Sequence, residues 1–168
     1  MNPRERILTT LRRSGLPDRV PLQFDLCRSL LDAAADRYGV PVDYTSSYFE
    51  DLTYRISANE LRTTMGSDCV IVGGGLPSGY SHPVPQLGQI IDEFGLRMER
   101  GPLYMQAVEA PLRHASRVQD VKNHPFPDPY AAGRFDDARK VTQRFKRDYA
   151  VIGDVEWGLF EMSWFLTG

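Results

Sequence analysis

The chain has 168 residues, of which 42% are hydrophobic and 25% are charged, and its formal net charge is −2. This composition is typical of a soluble globular protein, and the near balance of 20 basic and 22 acidic side chains argues against nucleic-acid binding or a basic membrane-binding surface. No apolar run approaches the roughly 20 residues that span a bilayer, and the N-terminus has no signal-peptide apolar region. We therefore expect a cytoplasmic protein in which Cys27 and Cys69 are buried free thiols.

The first residues of the chain predict a helix and the position at which it starts. Asn2 can cap the helix, Pro3 suits its first position, and Glu5 can complete a capping box. Gly15 is the predicted end of this helix. Residues 20–24 are then predicted to form a short strand, which their proline places at a sheet edge or at the strand start.

The middle of the chain predicts more helix and a second strand. A second amphipathic helix ends at Gly39, and apolar residues at helical spacing predict that residues 43–65 are helical as well. The all-apolar run at 69–72 predicts a strand buried on both faces, as parallel strands are. A loop rich in glycine and proline follows at 73–85.

Residues 89–108 change to a period of two, which predicts an antiparallel hairpin with its turn at Arg100-Gly101-Pro102. The residues that this pattern places on one face are Phe94, Leu96 and Met98. A charged amphipathic helix at 135–148 and a third apolar strand at 149–152 complete the pattern. Three short buried strands separated by helices, with one hairpin between them, indicate an α/β fold.

The last sixteen residues, 153–168, turn through glycines and aromatics into an apolar segment that stops. A domain does not normally end on its most hydrophobic element, so we expect residues 1–168 to form a single incomplete domain, the front half of something larger. Three strand–helix units are also too few to close an eight-stranded barrel, which takes about 250 residues.

The candidate site residues follow the predicted strands. Asp25 follows the first, Gly73-Gly74-Gly75 follow the second, and Asp154, Glu156 and Trp157 follow the third. Because parallel α/β folds collect their sites at the carboxyl ends of the strands, we expect these residues to lie near one another. The alternative for each acid alone is a solvated loop residue or a helix cap.

The glycine run and the histidines are less specific signals. Gly73-Gly74-Gly75 has neither the lysine of a phosphate-binding P-loop nor a G-x-G-x-x-G spacing, so its glycines more plausibly let backbone approach a ligand or leave the strand tightly. His82 follows the second strand and is the histidine best placed to contact a ligand. No histidine or cysteine has the spacing of a metal site, and the residues alone define no catalytic set.

Several stretches together resemble the uroporphyrinogen decarboxylase superfamily. They are Asn2-Pro3-Arg4-Glu5-Arg6-Ile7-Leu8, Pro17-Asp18-Arg19-Val20-Pro21, Gly66-Ser67-Asp68-Cys69-Val70-Ile71-Val72, Asp92-Glu93-Phe94-Gly95, and the segment from Gly153 to Ser163-Trp164-Phe165-Leu166-Thr167-Gly168. The resemblance covers the whole chain and implies the N-terminal half of a (β/α)8 TIM barrel with an inserted antiparallel hairpin at about 89–108.

The same resemblance argues against the best-known activity of that family. True decarboxylases carry an arginine-rich run after the first strand, where this chain has the single arginine Arg28. They carry an aspartate at the exit of the second strand, where this chain has the Gly73-Gly74-Gly75 run, and a tyrosine where it has Trp164. The resemblance is therefore closer to the corrinoid-dependent methyltransferase branch.

That branch implies an enzyme fragment that takes part in methyl transfer from a small methylated substrate, with a corrinoid carried by a partner protein. Its zinc ligands, an H-x-C pair and a later cysteine, do not occur here, so we expect this chain alone to bind no cofactor and to be inactive. The residues expected to bind substrate are Asp25, Gly73, Gly74, Gly75, His82, Glu156 and Trp157. Two alternatives stay open: uroporphyrinogen III decarboxylation in heme biosynthesis, and a non-catalytic half-barrel that self-associates through open barrel edges.

Overall fold

A computed structural model describes residues 1–45, 55–101, 105–155 and 158–168. Glu156 and Trp157, two of the predicted site residues, lie outside the described residues. The helices are α1 (Pro3–Arg12), α2 (Arg28–Tyr38), α3 (Asn59–Thr64), α4 (Val118–Lys122), α5 (Asp136–Phe145) and α6 (Leu159–Thr167). The strands are β1 (Cys69–Val72), β2 (Gln89–Ile91), β3 (Arg97–Arg100), β4 (Met105–Glu109) and β5 (Ala150–Gly153).

The described residues divide into two compact units. The first comprises Met1–Gly75 and Phe135–Asp154, and the second comprises Leu76–Arg134 and Val155–Gly168. In the first unit β1 and β5 pair in parallel, from Cys69 opposite Ala150 to Val72 opposite Gly153. In the second unit β2, β3 and β4 form an antiparallel sheet in that order. The predicted mixed α/β class is therefore confirmed.

In the first unit, the start of α1 and the end of α2 follow the sequence, whereas α1 ends at Arg12, with the left-handed Arg13 as its cap, and not at the predicted Gly15. The capping box of α1 is formed, with the Glu5 amide donating to Asn2 Oδ1 at 2.8 Å and the Asn2 amide donating to Glu5 Oε2 at 2.9 Å. Helix α2 ends at Gly39, whose φ of 66° is the left-handed conformation that glycine adopts without strain. The core beside α2 is built on Leu31, Ala58 and Leu61.

A group of charges around the buried Asp68 fastens α1 to the start of β1. We call Arg6, Asp18, Arg19 and Asp68 the amino-end cluster, because Asp68 immediately precedes β1. The Asp68 carboxylate is 0% exposed and accepts two hydrogen bonds from Arg19 at 2.8 Å, one from the Leu22 amide at 2.8 Å and one from Arg6. All of its acceptor sites are therefore used inside the protein.

Asp18 completes the amino-end cluster at the surface. Arg6 Nε donates to Asp18 Oδ1 at 2.6 Å, and the N-terminal amine donates to Asp18 Oδ2 at 3.0 Å. The hydrogen bond from Arg6, followed by that from the N-terminal amine, holds the pKa of Asp18 well below its usual range. The same hydrogen bond from Arg6 to Asp18, with a further contribution from the one to Asp68, raises the pKa of Arg6.

Two predicted elements of the first unit are wrong. Residues 20–24 form no strand, because Pro21 has no amide to donate and Leu22 pairs instead with Asp68, through one backbone bond of 2.8 Å and one bond to its carboxylate. Among the described residues of the helix predicted over 43–65, only those of α3 are helical, since residues 43–45 and 55–58 are not. Ala58, at φ 55°, is left-handed and so prevents the helix from starting earlier. Residues 46–54 of that prediction lie outside the described residues.

The second unit contains a three-stranded sheet where one hairpin was predicted. Strands β3 and β4 form the predicted antiparallel pair, and β2 adds a further strand, with Ile90 opposite Met98. The extra turn lies at residues 92–96, where Asp92 Oδ1 accepts the amides of Phe94 at 2.9 Å and Leu96 at 2.8 Å. Leu96 and Met98 are buried, as the period of two predicts.

The apolar segment at the end of the chain is helix α6. Its Leu166 is buried, and the Leu166 carbonyl accepts the Leu112 amide at 2.8 Å. Leu159 and Phe160, in contrast, are exposed. Among the described residues, no helix is long and apolar enough to cross a membrane.

Candidate functional site

Two acids predicted from the sequence meet at the carboxyl end of the parallel sheet. We call Asp25, Arg55, Arg62 and Asp154 the carboxyl-end cluster, because Asp154 directly follows β5. Arg55 Nε lies 3.3 Å from Asp25 Oδ2, and Arg55 Nη1 lies 3.7 Å from Asp154 Oδ2. Arg62 Nη1 lies 3.3 Å from Asp25 Oδ1. One guanidinium group therefore joins acids that are far apart in sequence, at the edge where parallel sheets place their sites.

The backbone of the two strands fixes Asp154. Its amide donates to the Val72 carbonyl at 2.8 Å and so continues the β1–β5 ladder by one residue. Gly73 lies alongside, where an added Cβ would be 3.1 Å from Ile56 Cγ2 and 3.4 Å from the Asp154 carbonyl oxygen. The absence of a side chain at Gly73 thus lets the segment carrying Ile56 pack tightly against the strand ends.

Arg62 is buried and holds the segment that leads into α3. Its Nη2 donates to the carbonyls of Arg55 at 2.5 Å and Ser57 at 2.6 Å, and to Asn59 Oδ1 at 3.2 Å. Arg55, which bridges the two acids, is therefore positioned through its own carbonyl. Because most of its donors are used in this way, Arg62 acts as a support for the site rather than as an open binding group.

Asn59 ties that segment to β1. Its Nδ2 donates to the Ile71 carbonyl at 2.8 Å, and its Oδ1 accepts the Ile71 amide at 2.9 Å. The side-chain amide thus replaces the backbone of a neighbouring strand at this point of β1. Both Asn59 and Ile71 are buried, so these bonds are shielded from water.

The hydrogen-bonding capacity of the cluster is only partly satisfied. The side chains of Asp25 and Arg55 are each 37% exposed, and that of Asp154 is 18% exposed. Asp25 accepts a further hydrogen bond from Gln23 Nε2 at 3.0 Å. The Asp154 Oδ2 atom is buried and has no hydrogen-bond partner among the described residues. Such a group of fixed charges with unused acceptor capacity is suited to binding a small polar molecule.

Neither cysteine adds a nucleophile or a metal ligand to this cluster. Cys69 is buried in β1 beside Ser67, and burial raises the pKa of its thiol. Cys27 precedes α2 and is only partly buried, contrary to the prediction, and a hydrogen bond with Ser29, together with backbone amides, lowers the pKa of its thiol. Within the described ranges no group of three or more His, Cys, Asp or Glu side chains is arranged to hold a metal ion.

The remaining predicted residues are distributed over both units. Gly74 and Gly75 follow Gly73 at the end of β1 in the first unit. His82 belongs to the second unit, where its ring packs edge-on against Tyr80 with centroids 5.4 Å apart. Its Nδ1 is buried and has no hydrogen-bond partner in the part of the chain that the structure describes. A substrate role for His82 stays a prediction.

The sequence analysis did not identify the two arginines of the cluster or the asparagine that supports them. Arg55, Asn59 and Arg62 all fall within the segment that periodicity assigned to one helix, where a polar residue is normally a solvent-facing one. The left-handed Ala58 breaks that segment and turns these side chains toward the strand ends. No local motif signals that turn, because alanine rarely adopts the left-handed conformation.

Comparisons with models of known protein families, with curated proteins and with solved structures found no match to this chain. The resemblance to the uroporphyrinogen decarboxylase superfamily stays a prediction from the sequence motifs.

Proposed function

We propose that residues 1–168 form a single incomplete domain, the N-terminal part of a (β/α)8 barrel of the uroporphyrinogen decarboxylase superfamily, in a cytoplasmic protein. The parallel pairing of β1 with β5, with α5 immediately before β5, supports this assignment. The antiparallel sheet lies between these strands in sequence, where the resemblance expects an inserted hairpin. A crystal structure of the full-length protein without eight parallel strands would contradict it.

The activity that we propose is corrinoid-linked methyl transfer from a small methylated substrate. The observation that carries the proposal is the convergence of Asp25 and Asp154 on Arg55 at the carboxyl ends of the parallel strands. In this proposal the cluster binds and orients the substrate, while a partner protein carries the corrinoid. Any zinc that activates a thiol would be bound by residues beyond those described.

Two features support methyl transfer over tetrapyrrole decarboxylation. The single arginine of the region after residues 20–24, Arg28, stacks over the Tyr44 ring at 5.4 Å. The run Gly73-Gly74-Gly75 offers no carboxylate at the second strand end. A substrate with several carboxylates and pyrrole N–H groups therefore lacks the partners that the decarboxylases supply.

The test is a methyl-transfer assay with the full-length protein. Cob(I)alamin is offered together with methylated amines, thiols or alcohols, and formation of methylcobalamin is followed by its absorbance. We expect Asp25→Asn to lower kcat/KM at least about tenfold, since a lost positioning contact of about 1.4 kcal/mol has that effect. Asp36→Asn, an exposed acid on α2, is the matched control. Release of carbon dioxide from uroporphyrinogen without any methyl transfer would instead establish decarboxylation.

A second candidate, non-catalytic association, is favoured by an apolar groove beside β5. The groove has a volume of about 640 Å³ and includes Ile7, Leu8, Leu11, Val151 and Ile152. Leu11 is 75% exposed, which is unusual for a leucine so close to other apolar side chains. Sedimentation of the 168-residue chain tests this candidate: a dimer supports association, whereas a monomer at micromolar concentration contradicts it.

A further inference from the structure

The antiparallel sheet of the second unit has an open edge at β4. This strand lies last in the order β2-β3-β4 and pairs with β3. Within the described ranges, Met105–Glu109 form no backbone hydrogen bond outside that pairing. Because the backbone groups of a strand point alternately to its two sides, those on the outer side of β4 are available to a further strand.

A groove of about 660 Å³ runs along this edge. All five residues of β4 line it and no described residue of β3 does, so it follows the side of the strand rather than a face of the sheet. The opposite wall is the last part of α6, which includes Trp164. Trp164 is 58% exposed and shares the groove with the exposed Val108, and apolar side chains gathered in this way mark interaction sites.

The charges of the groove favour an acidic partner. Arg113 lines the groove and forms no ion pair in the part of the chain that the structure describes. Glu109, the acid of β4, is already paired, since its Oε2 lies 3.3 Å from Arg97 Nη1. The side chains of the groove therefore leave one positive charge, on Arg113, without a counter-charge.

A second copy of the chain fits this edge poorly. The pairing of β3 with β4 passes from Ala107 to Glu109, so Val108 forms a β-bulge. A bulge twists an edge and so opposes pairing between the edges of two sheets. The β4 strand of a second copy would also bring no free acid to Arg113, because its Glu109 is paired. A single extended segment, in contrast, can follow the twist.

We propose that the groove between β4 and α6 binds an extended acidic segment of a partner protein, which adds a strand to the edge of β4. The backbone of the segment pairs with residues 105–107, which precede the bulge. One of its apolar side chains contacts Trp164, and one of its carboxylates pairs with Arg113. In this mode of recognition the main-chain hydrogen bonds supply affinity and the alternate side chains supply specificity.

Two capped six-residue peptides test the proposal with the full 168-residue chain. In both, threonine alternates with valine, and the terminal residues are glutamate in one and lysine in the other. We expect the glutamate peptide to bind about threefold more tightly at low salt, the effect of one exposed ion pair, and Arg113→Gln to remove that preference. Arg12→Gln, which changes an exposed arginine of α1, should preserve it. Equal binding of the two peptides by the unmodified chain, or binding of neither, would overturn the inference.

Amide hydrogen exchange, followed by NMR, separates strand addition from contact through side chains alone. We expect the glutamate peptide to slow exchange of the outward-facing amides among residues 105–107 and to leave β2 unchanged. A bound peptide that slows no amide of β4 would overturn the inference. So would slower exchange in β4 on raising the protein concentration without peptide, because that result assigns the edge to a second copy.

Two aromatic residues of α6 provide matched variants for the wall of the groove. Trp164 lines the groove, whereas Phe160 is exposed and does not line it. We expect Trp164→Ala to weaken binding of the glutamate peptide at least about tenfold, as loss of a central aromatic contact does, and Phe160→Ala to leave it unchanged. Since both side chains are exposed, the two variants should have similar urea midpoints, so a difference in binding does not reflect unfolding. Equal binding by the two variants would overturn the inference.

Discussion

The two ends of the parallel sheet carry the same kinds of charged residue in opposite states. At the amino end, Asp68 is fully buried and accepts four hydrogen bonds from Arg6, Arg19 and the Leu22 amide. At the carboxyl end, Asp154 is partly exposed, and one of its oxygens has no hydrogen bond among the described residues. The Asp68 carboxylate is thus fully paired, whereas one oxygen of the Asp154 carboxylate has no hydrogen-bond donor among the described residues.

This difference indicates that the two ends of the sheet have different roles. Charges that are buried and fully paired hold elements together, and removing one partner leaves the others uncompensated. Charges that are partly exposed and loosely paired add little to stability but can exchange their partners for those of a ligand. We therefore expect changes at the amino end to act on folding and changes at the carboxyl end to act on binding.

The largest effect is expected for Asp68→Asn. The substitution preserves the shape of the side chain but leaves Arg6 and Arg19 without their buried counter-charge. We expect the free energy of unfolding to fall by about 3–5 kcal/mol, measured by urea denaturation. A loss below about 1 kcal/mol would contradict the role assigned to the amino-end cluster.

A smaller loss of stability is expected for Asn59→Ala, a residue that supports the carboxyl-end cluster without belonging to it. The buried amide and carbonyl of Ile71 would lose their partner, at a cost of about 2 kcal/mol in the free energy of unfolding. Asn123→Ala is the control, since Asn123 is exposed and its side chain accepts a hydrogen bond from Gln119 of α4. Equal urea midpoints for the two variants would show that Asn59 does not support β1.

The amino-end cluster should also make stability depend on pH. The pKa of Asp18 is lowered in the folded protein, so its contribution is present at neutral pH and is lost as the pH falls below about 4, where the unfolded carboxylate takes up its proton first. Between pH 7 and pH 3 the urea midpoint of Asp18→Asn should therefore fall less than that of the wild type. Asp36→Asn, the exposed control, should keep the wild-type dependence.

The smallest effect on stability is expected for Asp154→Asn. Its one charged contact is long and its side chain partly exposed, so we expect the free energy of unfolding to change by less than about 1 kcal/mol. A loss as large as that of Asp68→Asn would show that both ends of the sheet are structural, and the comparison would fail.

The secondary structure that depends on neighbouring residues in the sequence could be predicted. The capping of α1 by Asn2 and Glu5, the end of α2 at Gly39 and the buried strand β1 all follow from local rules and are confirmed. The α/β class follows from the same elements, and so does the expectation that Asp25 and Asp154 lie at strand ends.

Side-chain contacts between residues that are not neighbours in sequence could not be predicted. Arg6 and Asp68 are 62 positions apart, and Asn59 and Ile71 are 12 apart, so no local pattern joins them. The helix predicted over 43–65 illustrates the cause. Periodicity cannot detect that Ala58 is held left-handed by tertiary contacts, and that one residue redirects Arg62 and Asn59.

The amide of Asn59 also determines how the parallel sheet can grow. Because it occupies both polar groups of Ile71, and because the Leu22 carbonyl takes the Asp68 amide, that side of β1 presents no free ladder at these points to an incoming chain. Lengthening of the sheet is thereby directed to β5. A strand fused to this unit by design would therefore have to pair with β5, so the sheet can be extended on one side only at these points.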